Sequence, residues 1–333
     1  MNICVLSDGG WGTAIALNLI KNEHNVTLWG PFADYIEEMK LSRENTRFLK
    51  GISLPDSLSL TSEIEEAVNN AEMLILASPS QFMRPVLKLI KDCDYHDKIF
   101  VDVAKGIEVV SLKRISEIVF EELGRVNYSV LSGPSHAEEV AKGVPTAVVV
   151  ASEIAESANI VQDVFMNDKF RVYTSEDTVG VELGGALKNI FAIAAGICDG
   201  MRIGDNSKAA LITRAIVEMG RLGKVLGGKK ETFAGLSGIG DMIVTCTSGH
   251  SRNRHVGEKL GEGLTLEEIQ KGMGMVVAEG VKTTNSAYHL AKKYNVTVPI
   301  ISEVYKCLYS GKRPMNAIND LMTRSPKMEK FGE

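Results

Sequence analysis

Residues 2–21 read NICVLSDGGWGTAIALNLIK, and three kinds of segment follow one another in that stretch. Asn2–Leu6 is a short apolar run rich in strand formers. Ser7-Asp8-Gly9-Gly10-Trp11-Gly12 is a glycine loop, and Thr13–Lys21 places Ala16, Leu17 and Ile20 at helical spacing. Strand, glycine loop and helix in that order form the context a dinucleotide fingerprint requires. Glycines let backbone amides approach a pyrophosphate, and the helix N-terminus favours its negative charge. Gly9 and Gly12 hold the second and third glycine places of G-x-G-x-x-G, but Ser7 holds the first. A Cβ there opposes the tight turn. Asp8 adds a carboxylate that repels a pyrophosphate unless it points away.

The alternation continues. Val26–Trp29, Met73–Ala77, Lys98–Val103, Val130-Leu131 and Thr146–Val150 read as further strands. Glu63–Asn69, Phe82–Lys91, Lys113–Leu123 and Ile154–Phe165 read as helices between them. Apolar strands alternating with helices imply a parallel, doubly wound sheet, which binds ligands beyond the carboxyl ends of its strands. Ser78-Pro79-Ser80-Gln81-Phe82, Lys105-Gly106 and Ser132-Gly133-Pro134-Ser135 follow such ends. Phe82 suits either a cofactor ring or a helix core, and Lys105 either an anion or a solvated turn. At the end of the second strand stands Trp29-Gly30-Pro31-Phe32-Ala33-Asp34, with no carboxylate directly at the strand end and no arginine before Arg43. That stretch does not choose between NAD and NADP.

After Tyr173-Thr174-Ser175-Glu176-Asp177 the strand pattern stops, and the remainder reads as helices. The expected division is therefore a Rossmann-type α/β domain over residues 1–178 and an all-α domain over residues 179–333. The first helix of the second half, Val181–Ile197 (VELGGALKNIFAIAAGI), is apolar except for Glu182, Lys188 and Asn189. A helix apolar on nearly every face belongs in a core. There a lysine either snorkels to the surface or has its pKa lowered by desolvation, which suits acid–base work near neutral pH. Two more segments look chemical. Leu236-Ser237-Gly238-Ile239-Gly240-Asp241 delivers a carboxylate after a glycine turn, as a reactive group or a plain N-cap. Thr247-Ser248-Gly249-His250-Ser251-Arg252-Asn253-Arg254-His255 gathers donors for a phosphate, or forms an exposed basic loop.

Composition narrows the class. A prior of roughly 150 residues per domain gives two domains for 333 residues. A net charge of −5 argues against non-specific nucleic-acid binding. The five cysteines are widely spaced, without C-x-x-C, and H-E-x-x-H is absent, so no disulfide framework and no metal site are expected. Free thiols suit a cytoplasmic setting. No signal peptide and no apolar stretch approaching the ~18 residues of a membrane span are apparent.

Taken in order, Gly9-Gly10-Trp11-Gly12-Thr13-Ala14, Ala104-Lys105-Gly106, Ser132-Gly133-Pro134-Ser135, Gly185-Ala186-Leu187-Lys188-Asn189, Gly238-Ile239-Gly240-Asp241, Ser251-Arg252-Asn253-Arg254 and Glu279-Gly280 resemble the NAD(P)-dependent glycerol-3-phosphate dehydrogenase family, its bacterial biosynthetic branch above all. The resemblance runs from residue 1 to about residue 325. It implies reversible hydride transfer between NAD(P)H and dihydroxyacetone phosphate, a small phosphorylated substrate, yielding sn-glycerol 3-phosphate for phospholipid synthesis. It implies Lys188 as general acid/base, with Lys105, Asn189, Asp241 and Thr245 at the reacting end. Gly133, Ser135, Ser251, Arg252 and Asn253 match substrate-contacting positions. Gly9, Gly10, Trp11, Gly12, Pro31, Phe82, Lys105, Ala137, Arg252, Val277 and Glu279 match cofactor-contacting ones. A homodimer without membrane insertion belongs to the same expectation. The chain departs from the family pattern at Ser7 and Asp8, and at Pro31, where the biosynthetic branch often has arginine. Two other readings compete. The Ser251–Arg254 cluster and the Gly-Asp turn argue against a β-hydroxyacid dehydrogenase. A Lys188–Asp241 pair argues against a non-catalytic nucleotide sensor.

Overall fold

The computed structural model describes residues 1–273, 278–326 and 328–329. Two compact units emerge: Met1–Ala104 with Arg114–Thr178, and Lys105–Lys113 with Val179–Glu333.

The first unit is built on strands β1 (Asn2–Leu6), β2 (Asn25–Trp29), β3 (Ser59–Thr61), β4 (Met73–Leu76), β5 (Ile99–Asp102), β6 (Asn127–Ser132), β7 (Thr146–Ser152) and β8 (Phe170–Ser175). Its helices are α1 (Gly10–Lys21), α2 (Ala33–Ser42), α3 (Ile64–Asn69), α4 (Met83–Leu89), α5 (Ile115–Leu123), α6 (Ala137–Ala141) and α7 (Ala155–Phe165). Strand order is β3-β2-β1-β4-β5-β6-β7-β8. β1 lies between β2 and β4, so the chain leaves it at the point where the winding reverses, the ordinary ligand crevice of such sheets. All four residues of β4 are buried, as expected of a strand covered on both faces.

The sheet is not wholly parallel, contrary to the reading from the alternating pattern. β7 runs antiparallel to β6, and β8 is parallel to β7. The β6–β7 connection carries only the five-residue α6. The pattern also passes over β3, β8, α2 and α6. β3 has three residues, and α2 buries only Tyr35, Ile36 and Met39. β8 carried a legible signal, since Phe170 and Val172 are buried and alternate with exposed Arg171 and Tyr173.

The second unit contains α8 (Thr178–Gly200), α9 (Asp205–Val225), α10 (Lys230–Phe233), α11 (Asp241–Thr247), α12 (Arg252–Gly261), α13 (Leu266–Met273), α14 (Glu279–Lys293), α15 (Pro299–Tyr309) and α16 (Pro314–Met322). α8 is its axis. By length and by a mean hydropathy of 1.4 it could cross a membrane, but that window is entirely buried. The expectation that no stretch is apolar enough is corrected accordingly: this is a core helix whose composition resembles a span. Leu183, Leu187, Ile190, Phe191 and Ile193 are fully buried on it, each contributing about 1.5–3 kcal/mol.

One glycine on α8 and one on α12 let the two helices approach backbone to backbone. A Cβ at Gly196 would lie 1.9 Å from the Arg254 carbonyl oxygen, and one at Gly257 1.9 Å from that of Ile193. Neither backbone can yield without separating the helices. Gly257→Ala is expected to destabilise the unit by about 3 kcal/mol and to weaken activity by displacing the α12 N-terminus. Urea unfolding monitored by circular dichroism measures the first effect.

Candidate active site

In the second unit, a buried carboxylate holds two lysines. The segment Leu236–Gly240 forms a single π-turn that leads into α11. Its Gly238 abuts Phe233, where a Cβ would meet the carbonyl oxygen at 2.1 Å. Asp241 is therefore delivered at the first position of α11. It is not an N-cap, since no side chain caps that helix. Its Oδ1 accepts from Lys188 Nζ at 2.8 Å and its Oδ2 from Lys105 Nζ at 2.8 Å. Lys188 Nζ also donates to Thr245 Oγ1 at 2.7 Å, while the Thr245 hydroxyl donates to the Asp241 carbonyl oxygen at 2.6 Å.

Lys188 is 6% exposed and Asp241 1%, so the snorkelling alternative falls. Burial pushes the Lys188 ammonium down to about 8; the Asp241 charge opposes that shift and the Lys105 charge adds to it. Burial alone would raise the Asp241 carboxyl, but the ammonium groups of Lys105 and Lys188 outweigh it and hold Asp241 below its ordinary value. A carboxylate shared by two cations is thus ionised, and one of those cations is poised to exchange its proton near neutral pH.

A chain of amides fixes Lys105. Gly280 N donates to Asn253 Oδ1 at 2.9 Å, Asn253 Nδ2 to Asn189 Oδ1 at 2.9 Å, and Asn189 Nδ2 to the Lys105 carbonyl oxygen at 3.0 Å. One end is a backbone donor and the other a backbone acceptor, so only one orientation of both amides satisfies the chain. Asn189 and Asn253 therefore position the Lys105 backbone. The 105–113 segment is held further by Ser286 Oγ, which donates to the carbonyls of Ile107 and Glu108.

The expected phosphate loop is in fact the start of a helix. Ser251 caps α12 by accepting from Arg254 N at 3.2 Å. Arg254 is committed to Asp199, with Nε 2.6 Å from Oδ2. Arg252, by contrast, is exposed and has no ion-pair partner among the described residues. The four-residue cluster thus divides into a cap, a positioning amide, a structural ion pair and one uncommitted guanidinium.

In the first unit, Gly9, Gly10, Trp11 and Gly12 open α1, which no side chain caps. A Cβ at Gly12 would lie 2.3 Å from the Ser7 carbonyl oxygen, and one at Gly10 2.5 Å from that of Phe48. Such a close-packed loop, with an uncapped helix N-terminus behind it, fits a pyrophosphate. Ser7 sits at φ 143°, where side chains are strained, and its Oγ accepts from Gly9 N at 3.3 Å. Asn45, which the sequence reading passed over, ties the loop down. Its Nδ2 donates to the Asp8 carbonyl oxygen at 2.7 Å and to Thr13 Oγ1 at 2.8 Å, while its Oδ1 accepts from Phe48 N at 3.0 Å. A lone polar residue in a charged stretch gave no signal of this role.

The Asp8 carboxylate lies against Gly30 at the end of β2, where a Cβ on Gly30 would be 2.7 Å from Asp8 Oδ2. Pro31 is exposed beside it. Phe82 closes the turn Ser80–Phe82 and is 55% exposed, so it is not a helix-core residue. Gly133 adopts φ 146° just past β6, and Ser135 Oγ donates to its carbonyl oxygen at 2.9 Å. Ala137 begins α6, and its Cβ would lie 3.9 Å from a Cβ on Gly10. Glu279 begins α14 in the second unit. Val277 lies outside the described residues.

Comparison with known proteins adds a second line of information. Family models described as NAD-dependent glycerol-3-phosphate dehydrogenase N-terminus and C-terminus match residues 2–158 and 177–319. A glycerol-3-phosphate dehydrogenase [NAD(P)+] of Fusobacterium nucleatum is 50% identical over 331 residues, covering 99% of this chain and 98% of the relative. One from a Thermoanaerobacter species is 48% identical, covering 100% of both. The crystal structure of glycerol-3-phosphate dehydrogenase from Coxiella burnetii superposes with a TM-score of 0.94 at 37% identity, over 97% of this chain and 99% of that one.

Proposed function

This chain belongs to the NAD-dependent glycerol-3-phosphate dehydrogenase family, and on that premise we propose that Lys188 is the general acid and base in the reversible conversion of dihydroxyacetone phosphate to sn-glycerol 3-phosphate. The chain is an NAD(P)-dependent oxidoreductase. Bound NAD(P)H supplies the hydride.

The observation that supports this most is the buried Lys188 ammonium, held by Asp241 and Thr245 with a second ammonium on the far carboxylate oxygen. As the ketone carbon accepts hydride, its oxygen gains alkoxide character. Protonated Lys188 beside that oxygen stabilises the charge and then donates its proton. In the reverse direction neutral Lys188 takes the hydroxyl proton. Asp241 and Thr245 orient the ammonium, and Lys105 supplies a second positive charge at the reacting end. Asn189 and Asn253 keep Lys105 in place. Arg252 is the uncommitted cation for the substrate phosphate, whose remote binding fixes the ketone for attack. Gly133, Ser135 and Ser251 complete the proposed substrate contacts. Gly9, Gly10, Trp11, Gly12, Phe82, Ala137 and Glu279 supply those to the dinucleotide.

The glycerol 3-phosphate formed feeds phospholipid synthesis in this reading, and five buried, unpaired thiols suit a reducing cytoplasm. The test is oxidation of NADH and of NADPH, followed by nicotinamide absorbance, with dihydroxyacetone phosphate as acceptor. Turnover supports the reading, and turnover only on hydroxyacids overturns it.

A pH dependence follows from Lys188. Reduction needs the protonated lysine, so its kcat/KM is expected to fall as pH rises through about 8. Oxidation of glycerol 3-phosphate needs the neutral lysine, so its kcat/KM is expected to rise through the same range. Opposed limbs in the two directions identify one group acting as acid and base, whereas parallel limbs do not.

A further inference from the structure

We propose that Asp8 selects the dinucleotide: its carboxylate accepts a hydrogen bond from the adenine-ribose 2′-hydroxyl of NAD(H) and repels the 2′-phosphate of NADP(H). In open α/β sheets that choice is made at the end of the second strand, by an acidic side chain for the free hydroxyl or an arginine for the phosphate. Here the strand is followed by Gly30 and Pro31, which offer neither. The Asp8 side chain fills the gap from the neighbouring glycine loop, lying directly against the Gly30 backbone.

Two further observations point to a ligand. Asp8 is 5% exposed, and its Oδ2 is buried with no hydrogen-bond partner among the described residues. A buried carboxylate without a donor is costly, and burial duly pushes the Asp8 carboxyl up, with its own backbone amide and Arg47 opposing. A ribose hydroxyl supplies the missing donor, whereas a phosphate dianion adds like charge. The arginines able to welcome a 2′-phosphate are also committed elsewhere. Arg43 donates to the carbonyls of Leu54, Pro55 and Leu58. Arg47 donates to Glu38 at 3.0 Å, with its guanidinium 3.9 Å from the centre of the Tyr35 ring. With its carboxylate turned onto Gly30, Asp8 reads the ribose and spares the pyrophosphate the repulsion expected from sequence.

Fluorescence titration of the full chain with NADH and with NADPH tests the inference on binding alone, so failure of the Lys188 reading leaves its outcome unaffected. The wild-type protein is expected to bind NADH at least about tenfold more tightly than NADPH. In Asp8→Asn, which keeps the side-chain shape, and in Asp8→Ala, that ratio is expected to fall at least about fivefold, chiefly through tighter NADPH binding. Competition on the unmutated chain provides a readout that needs no variant: ADP-ribose should displace NADH at a lower concentration than 2′-phospho-ADP-ribose does. Equal binding of the two cofactors by wild type, or an unchanged ratio in folded variants, would overturn the assignment.

Discussion

Lys188→Ala is expected to lower kcat for dihydroxyacetone phosphate reduction by at least about 10³-fold, because it removes both the proton donor and the charge that stabilises the developing alkoxide. The fold should survive. Asp241 keeps its ion pair with Lys105 at 2.8 Å, so truncation leaves no uncompensated carboxylate. Neither does it expose new hydrophobic surface, because α8 buries its apolar side chains on every face. NADH affinity should stay within a few-fold of wild type, since the glycine loop belongs to the other unit. Lys188→Arg is the control for charge alone. Its guanidinium stays protonated and cannot donate usefully near neutral pH, so it should be nearly as inactive as the alanine variant. Steady-state kinetics with a parallel thermal melt separate loss of chemistry from loss of fold.

Asp241→Asn should damage stability and activity together. The substitution leaves two ammonium groups, one of them on the buried Lys188, without their carboxylate. Removing one partner of a buried pair costs about 3–5 kcal/mol, which a urea titration would read as a lower midpoint. The effect on Lys188 has a definite sign. The Asp241 charge raises its pKa, while burial and Lys105 lower it. Without the carboxylate the main raising influence is gone while burial and Lys105 still lower the pKa, so the alkaline limb of the reduction profile should move below about 8. Reduction at neutral pH should then fall sharply and recover in part as the medium is acidified. A limb that stays in place would show that Asp241 does not set the protonation of Lys188.

The sequence read differently in different places. Asn2–Leu6 with its glycine loop was legible because strand, turn and helix each carry a local signal, and α8 was legible because apolarity on every face leaves only a core. The antiparallel β7 was not legible, since an apolar strand pattern reports burial and not the direction in which the strand runs. Lys188 could be singled out as an oddity, but nothing local distinguished a snorkelling lysine from a buried one. Its partner Asp241 lies 53 residues away, and Lys105, which shares that carboxylate, lies 136 residues from Asp241, so only folding unites them. Arg254 was overestimated for the converse reason: it stands beside Arg252 in sequence, yet the turn of α12 sends it to Asp199. Asn45 and the orientation of Asp8 are tertiary facts with no counterpart in spacing.

The most direct test of Lys188 as proton donor is a single-turnover experiment. Wild type and Lys188→Ala are loaded with NADH, mixed with saturating dihydroxyacetone phosphate, and followed by loss of nicotinamide absorbance in a stopped-flow instrument. Binding and product release then drop out of the observed rate. The expected result is a hydride step slowed at least about 10³-fold in a folded variant that still binds NADH. A rate within about tenfold of wild type in that variant would contradict the assignment of Lys188 as general acid.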